Sequence, residues 1–147
     1  MPHLDRTHRL QLISSSGLVV VDAQPPPSIP TVMQAWQKVV NVQTEPTVAV
    51  SQDLPDALKE VDRQWLSQGV KNSLFNKEGE FLISVAGPGS VDFGWTRVRW
   101  SKNASPSSMP SQDENSPEFL GMSLDGRNIC AVTTEEYDYW IVVSKIQ

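Results

Sequence analysis

Phe119-Leu120-Gly121-Met122-Ser123-Leu124-Asp125-Gly126-Arg127-Asn128-Ile129-Cys130-Ala131 is the stretch that decides how this chain folds. An Asp-Gly pair between two apolar runs signals a β-hairpin, because a two-residue type I′ loop needs positive φ at both positions. Such a loop pairs Leu124 with Arg127. It sets Met122 opposite Ile129, Gly121 opposite Cys130 and Leu120 opposite Ala131, with Ser123 opposite Asn128. Apolar meets apolar and polar meets polar, so turn chemistry and side-chain alternation select one register.

Just downstream, Glu135-Glu136-Tyr137-Asp138-Tyr139-Trp140 runs into Ile141-Val142-Val143. A strand from Asp138 to Lys145 carries Trp140 and Val142 on one face and Ile141 and Val143 on the other. Apolar residues on both faces predict a central strand, or one covered by a helix. The C-terminal quarter therefore reads as an antiparallel meander with an acidic, aromatic rim.

Period-two alternation extends upstream. Phe81, Ile83 and Val85 alternate with Glu80, Leu82 and Ser84, and Gly87-Pro88-Gly89-Ser90 turns the chain into a strand from Val91 to Ser101. Thr47 to Val50 reads as a short strand. Arg9 to Ser14 and Leu18 to Asp22, joined by Ser15-Ser16-Gly17, read as a second hairpin. Pro25 to Pro30 is a stiff polyproline connector.

Two segments have helical period instead. Thr31 is an N-cap, followed by Val32, Ala35, Trp36, Val39 and Val40 at three- and four-residue spacing, ending near Asn41. Leu54, Leu58, Val61 and Trp65 form a second stripe, with Asp53 as cap, Pro55 in the first turn and Gly69 as the stop. Asp56, Lys59, Glu60 and Arg63 occupy its solvated face. The expected fold class is α+β: one twisted antiparallel sheet of about six to seven strands, ending in a meander, with two helices packed on one face. The 147 residues are expected to form one domain, with residues 1–8 frayed and the Ser/Pro-rich stretch 102–117 mobile.

Bulk charge narrows the function classes. A net charge of −5 and a pI near 4.9 oppose a nucleic-acid binder that tracks phosphates, and oppose adsorption to anionic membrane. Residues 113–138 hold seven acids against one base, Arg127, a local charge of −6. No apolar run approaches the roughly 20 residues of a membrane span. Met1-Pro2-His3-Leu4-Asp5-Arg6 lacks the long apolar core expected of a signal peptide, and the single cysteine cannot form an intrachain disulfide, so the expected location is cytoplasmic.

Catalytic groups are sparse. His3 and His8 lie at the N-terminus, and neither a triad nor a metal site follows from two histidines and one cysteine. Cys130 reads as a small buried hydrophobe. The glycines at 87, 89 and 94 join strands rather than opening a helix, which is not a phosphate loop. No cofactor and no metal are expected, and the enzyme question leans to no.

What remains are contact surfaces. Trp95-Thr96-Arg97-Val98-Arg99-Trp100 interleaves aromatic and basic residues. A bulge at Gly94 would turn Thr96, Val98 and Trp100 inward and place Trp95, Arg97 and Arg99 together outside. Trp36, Trp65, Trp100 and Trp140 sit in apolar surroundings, which leaves Trp95 as the tryptophan expected to be exposed. The second surface is Glu136, Tyr137, Asp138 and Tyr139. Tryptophan, tyrosine and arginine are enriched at binding hot spots. The reading that follows is a non-enzymatic acidic protein-interaction module: an adaptor, inhibitor or immunity-type protein whose partner is another protein. A small-molecule-binding domain or carboxylate-dependent enzyme with a sheet–helix pocket is the alternative. A single-strand nucleic-acid binder using the Trp95-Arg97-Arg99 stripe is the third. The oligomeric state is left open.

Overall fold

The register expected for residues 119–131 is present in the computed structural model of the chain, which describes residues 6–41, 43–86, 90–108 and 118–146. Met122 lies opposite Ile129, Gly121 opposite Cys130 and Leu120 opposite Ala131. The turn itself differs from type I′. Only Gly126 takes a positive φ, +75°, and its N–H bonds the Ser123 carbonyl at 2.9 Å. Leu124 and Asp125 are thus the central residues. Asp125 avoids the left-handed region and instead accepts from Ser123 Oγ (2.6 Å) and the Arg127 N–H (3.0 Å). Those bonds hold its carboxyl below the usual range, the Ser123 bond most. The register survives because the side-chain pattern enforces it independently of the turn.

In chain order the elements are α1 (Arg6–Ser15), β1 (Val19–Val20), α2 (Val32–Val39), β2 (Val48–Ser51), α3 (Ala57–Lys71), β3 (Glu80–Val85), α4 (Ser90–Phe93), β4 (Thr96–Arg99), β5 (Phe119–Met122), β6 (Asn128–Thr134) and β7 (Asp138–Lys145). A 3₁₀ turn covers Pro106–Ser108. Among the described residues the strands form one antiparallel seven-stranded sheet in the order β1-β4-β3-β5-β6-β7-β2. This is the expected α+β class with its C-terminal meander.

The helices divide between the two faces rather than sharing one. Val61 and Trp65 of α3 and Ile13 of α1 pack with Phe81, Ile83, Phe119, Cys130, Val132 and Ile141. Val32, Ala35 and Val39 of α2 pack with Leu82, Leu120, Met122, Ile129, Ala131 and Val142. Sheet residues alternate between the two sets, so the sets lie on opposite faces. The apolar residues at every position of 129–132 and 141–142 demand cover on both sides, which a single helical layer could not give.

Further local expectations change. Arg9 to Ser14, expected as a strand, lies within α1: Arg9, Ile13 and Ser16 are buried at helical spacing, and a six-residue window cannot separate that period from alternation. Residues 6–8, expected as frayed, begin that helix; residues 1–5 lie outside the described residues. The strand expected from Val91 starts only at Thr96, because Ser90–Phe93 is a helical turn. Gly69 does not stop α3, which continues to Lys71. A Cβ there would lie 2.8 Å from the Phe75 ring, so glycine serves close packing instead.

The stretch expected to be mobile is anchored over 105–108, while 109–117 lie outside the described residues. The Asp62 carboxylate of α3 accepts Ser105 Oγ (2.5 Å), the Ser107 N–H (2.9 Å) and Ser107 Oγ (2.8 Å). Burial raises the Asp62 carboxyl above its ordinary 3.8, against the opposing pull of those hydrogen bonds. The folded chain then holds this proton more tightly than the unfolded chain. That contribution is full below pH 3.8 and declines as pH rises through the raised value. Asp62→Ala should cost about 1–3 kcal/mol at neutral pH in urea unfolding, and should speed amide exchange at Ser107. Asp62→Asn should remove the loss of stability above pH 3.8, measured as Tm against pH.

Candidate functional site

Trp95, Arg97 and Arg99 share one face of the β4 ribbon, opposite Thr96 and Val98, as the parity argument requires. The phase change comes from α4 and from Gly94 in the left-handed region at φ +79°, in place of a bulge inside a long strand. The face they share is the one that carries α2. Trp95 is consequently half-buried: it packs on the α2-side core and donates its indole N–H to the Pro30 carbonyl at 2.9 Å. It therefore pins the end of the proline-rich connector to the sheet.

Arg97 donates Nε and Nη2 to Glu80 Oε1 of β3 at 3.2 and 2.6 Å. This bond, more than any other neighbour, lowers the Glu80 carboxyl pKa. Arg99 is exposed, paired in register with Val19 on one side and Glu80 on the other. Of the stripe, one member is committed to a loop, one to an ion pair, and one is open to solvent.

The acidic rim lies at the other end of the sheet. β6 and β7 join through Glu135-Glu136-Tyr137, closed by the Glu135 N–H to the Asp138 carbonyl at 2.8 Å. Gln52, just past β2, clamps this tip. Its Nε2 donates to the carbonyls of Glu135 (2.6 Å) and Asp138 (3.1 Å), and its main-chain N–H donates to the Tyr137 carbonyl (3.0 Å). Thr133 Oγ1 donates to Glu135 Oε2 at 2.8 Å. Tyr137 is 73 % exposed beside exposed Glu136. Asp138 is half-buried, and Tyr139 packs against the α3-side core. Rim and stripe are separated by four strand steps, β4 to β7, about 19 Å at roughly 4.8 Å per step. They do not neutralise one another; Glu80 answers Arg97 instead.

Cys130 is buried, and burial pushes its thiol well above the ordinary value, so it is not a thiolate at neutral pH. His8 is on the exposed side of α1, and His3 lies outside the described residues. Among the described residues no group of three or more His, Cys, Asp or Glu converges to hold a metal, and no helix is long and apolar enough to cross a membrane. The space between α3 and the sheet is filled by Trp65, Phe75, Phe81, Trp100 and Phe119, with ring centroids 5.1–6.1 Å apart. A surface cleft of about 700 Å³ lies between the exit of β1 and the entry of β4.

Gln52 and Glu80 also shape the site, and the linear pattern does not mark the first of them. Gln52 reaches partners 83 and 86 residues away. Glu80 did carry a weak signal, as an acid at the start of an apolar strand.

No family model, curated protein or solved structure matches this chain.

Gln52→Ala should loosen the hairpin tip without unfolding the sheet. The Tyr137 and Asp138 amides should exchange several-fold faster, with a global cost of about 1–3 kcal/mol because carbonyls lose their donors. Glu80→Gln should remove a stabilisation that wild type has above pH 4.5 and loses as pH falls through the lowered native value, read from the pH dependence of unfolding.

Proposed function

We propose that this chain is a protein-interaction module, of adaptor, inhibitor or immunity type, which binds its partner through the β6–β7 hairpin tip and performs no chemistry of its own. The observation that carries this reading is Tyr137: an aromatic residue 73 % exposed on a tip held by three hydrogen bonds from Gln52. A large amphipathic ring on a pre-ordered backbone loses little conformational freedom when a partner closes over it. Glu136 flanks it and Asp138 follows at the strand entrance, so the tip favours a partner that offers cationic groups around a pocket for the phenol.

The β2 edge lies beside the same tip. In an antiparallel ladder alternate residues bond to opposite sides. Gln52 bonds toward β7, so the Ala49 main chain faces outward from the sheet's last strand. That edge offers two hydrogen-bonding groups next to the tip, which suits a partner laid along it. A lone, buried cysteine is compatible with a reducing compartment, and the cytoplasm is the proposed place of the encounter.

Affinity purification from the cells of origin, with the wild-type chain and with Glu136→Lys plus Tyr137→Ala, tests the reading; Arg99→Ala is the control. A partner recovered equally by wild type and control, and at least tenfold less by the double variant, is the expected result. Equal recovery by all three chains, or none by wild type, would overturn it.

A further inference from the structure

The β1–β4 ladder ends early, and its missing rung opens into the 700 Å³ cleft. Val19 pairs with Arg99 and Val20 with Val98, and the Val21 N–H bonds the Arg97 carbonyl at 2.9 Å. Continued by two residues, this register would set Ala23 against Trp95. Instead the Ala23 N–H turns back onto the Val21 carbonyl at 2.8 Å, and the chain leaves the sheet.

Trp95 is left facing that gap. Thr96 and Trp100 lie at the positions of β4 that bond to the β3 side, the latter through its N–H to the Gly79 carbonyl at 2.9 Å. By alternation the Trp95 N–H and C=O point the other way, toward the line of β1. Neither has a main-chain partner among the described residues. Next to them, a Cβ on Gly94 would meet no atom within 4 Å, so the floor of the cleft is open. Leu10, Val20, Pro25 and Phe93 supply apolar walls. The volume falls within the roughly 300–1,000 Å³ of ligand sites.

Charge selects the occupant. Arg97 at one end is matched by Glu80. Asp22 lines the cleft, is exposed, and forms no ion pair among the described residues, so the cleft's uncompensated charge is one carboxylate. We infer that this cleft binds an extended peptide carrying a lysine or arginine, which adds to β4 end-to-end with β1. Its main chain completes the rung at Trp95, an apolar side chain enters between Leu10 and Phe93, and its cation meets Asp22. The site is separate from the hairpin tip and stands or falls independently of it.

A random peptide library selected on the full chain tests this, with the enriched peptides then titrated against wild type, Asp22→Lys and Tyr137→Ala. Asp22 is exposed, and a thermal melt confirms that the variant folds. The expected peptides contain Lys or Arg, lose at least tenfold affinity on Asp22→Lys, keep it on Tyr137→Ala, and slow exchange of the wild-type Trp95 amide at least tenfold. Absence of enrichment, undiminished binding to Asp22→Lys, or a Trp95 amide that exchanges as in the free chain would each overturn the inference.

Discussion

Trp65 donates its indole N–H to the Cys130 carbonyl at 2.8 Å, and its ring edge lies where a side chain on Gly121 would be, 2.8 Å from an added Cβ. Gly121 and Cys130 are register partners on the two central strands β5 and β6. One residue of α3 is thus seated on the middle of the sheet, in a notch that only glycine leaves open. A fully buried tryptophan removes about 150–250 Å² from water, an upper estimate of about 4–6 kcal/mol. Phe75, Phe81, Trp100 and Phe119 close around it, so four segments of the chain converge on one ring. Much else hangs from this seat: the placement of α3 carries Asp62 to the Pro106–Ser108 turn, and brings α3 against β2, whose following residue Gln52 clamps the hairpin tip.

The opposite face has a different logic. α2 covers the centre of the sheet there, and Trp95 reaches from β4 to Pro30 at the base of α2. The proline connector is thereby drawn across the sheet, where Pro30 and Ile29 press on Gly126 of the β5–β6 turn. An aromatic and a basic residue that look like a binding stripe in the sequence are absorbed by this second layer. What the layer leaves uncovered is its margin: the early end of β1 on one side, and the β7 entrance with Tyr137 on the other.

The sequence was most legible where neighbours in the chain are also neighbours in space. The β5–β6 register followed from apolar pairing across one turn. The α2 start followed from Thr31, which forms a capping box with Gln34. Parity at Trp95, Arg97 and Arg99 was readable because alternation is a local property. Legibility failed where a partner is remote. Gly69 looks like a helix stop until Phe75 folds back on it, and Arg9 looks like a strand residue until α1 lays it against the Val85 carbonyl, 76 residues away. Of the candidate site, Glu136 and Tyr137 are exposed, as their place beside a turn between two strands leads one to expect. The exposure expected of Trp95 was lost to a helix whose face could not be read from its own amphipathic pattern, because both faces of the sheet are apolar.

A double-mutant cycle between Trp65→Leu and Gly121→Ala tests the seating of α3 most directly. If the notch is what the indole requires, Gly121→Ala costs about 1–3 kcal/mol in the wild-type background, as overpacking does. Its cost falls by at least about 1 kcal/mol once Trp65 is leucine, a coupling well above the roughly 0.3–0.5 kcal/mol scatter of independent sites. Additive effects of the two substitutions on urea unfolding would contradict the account.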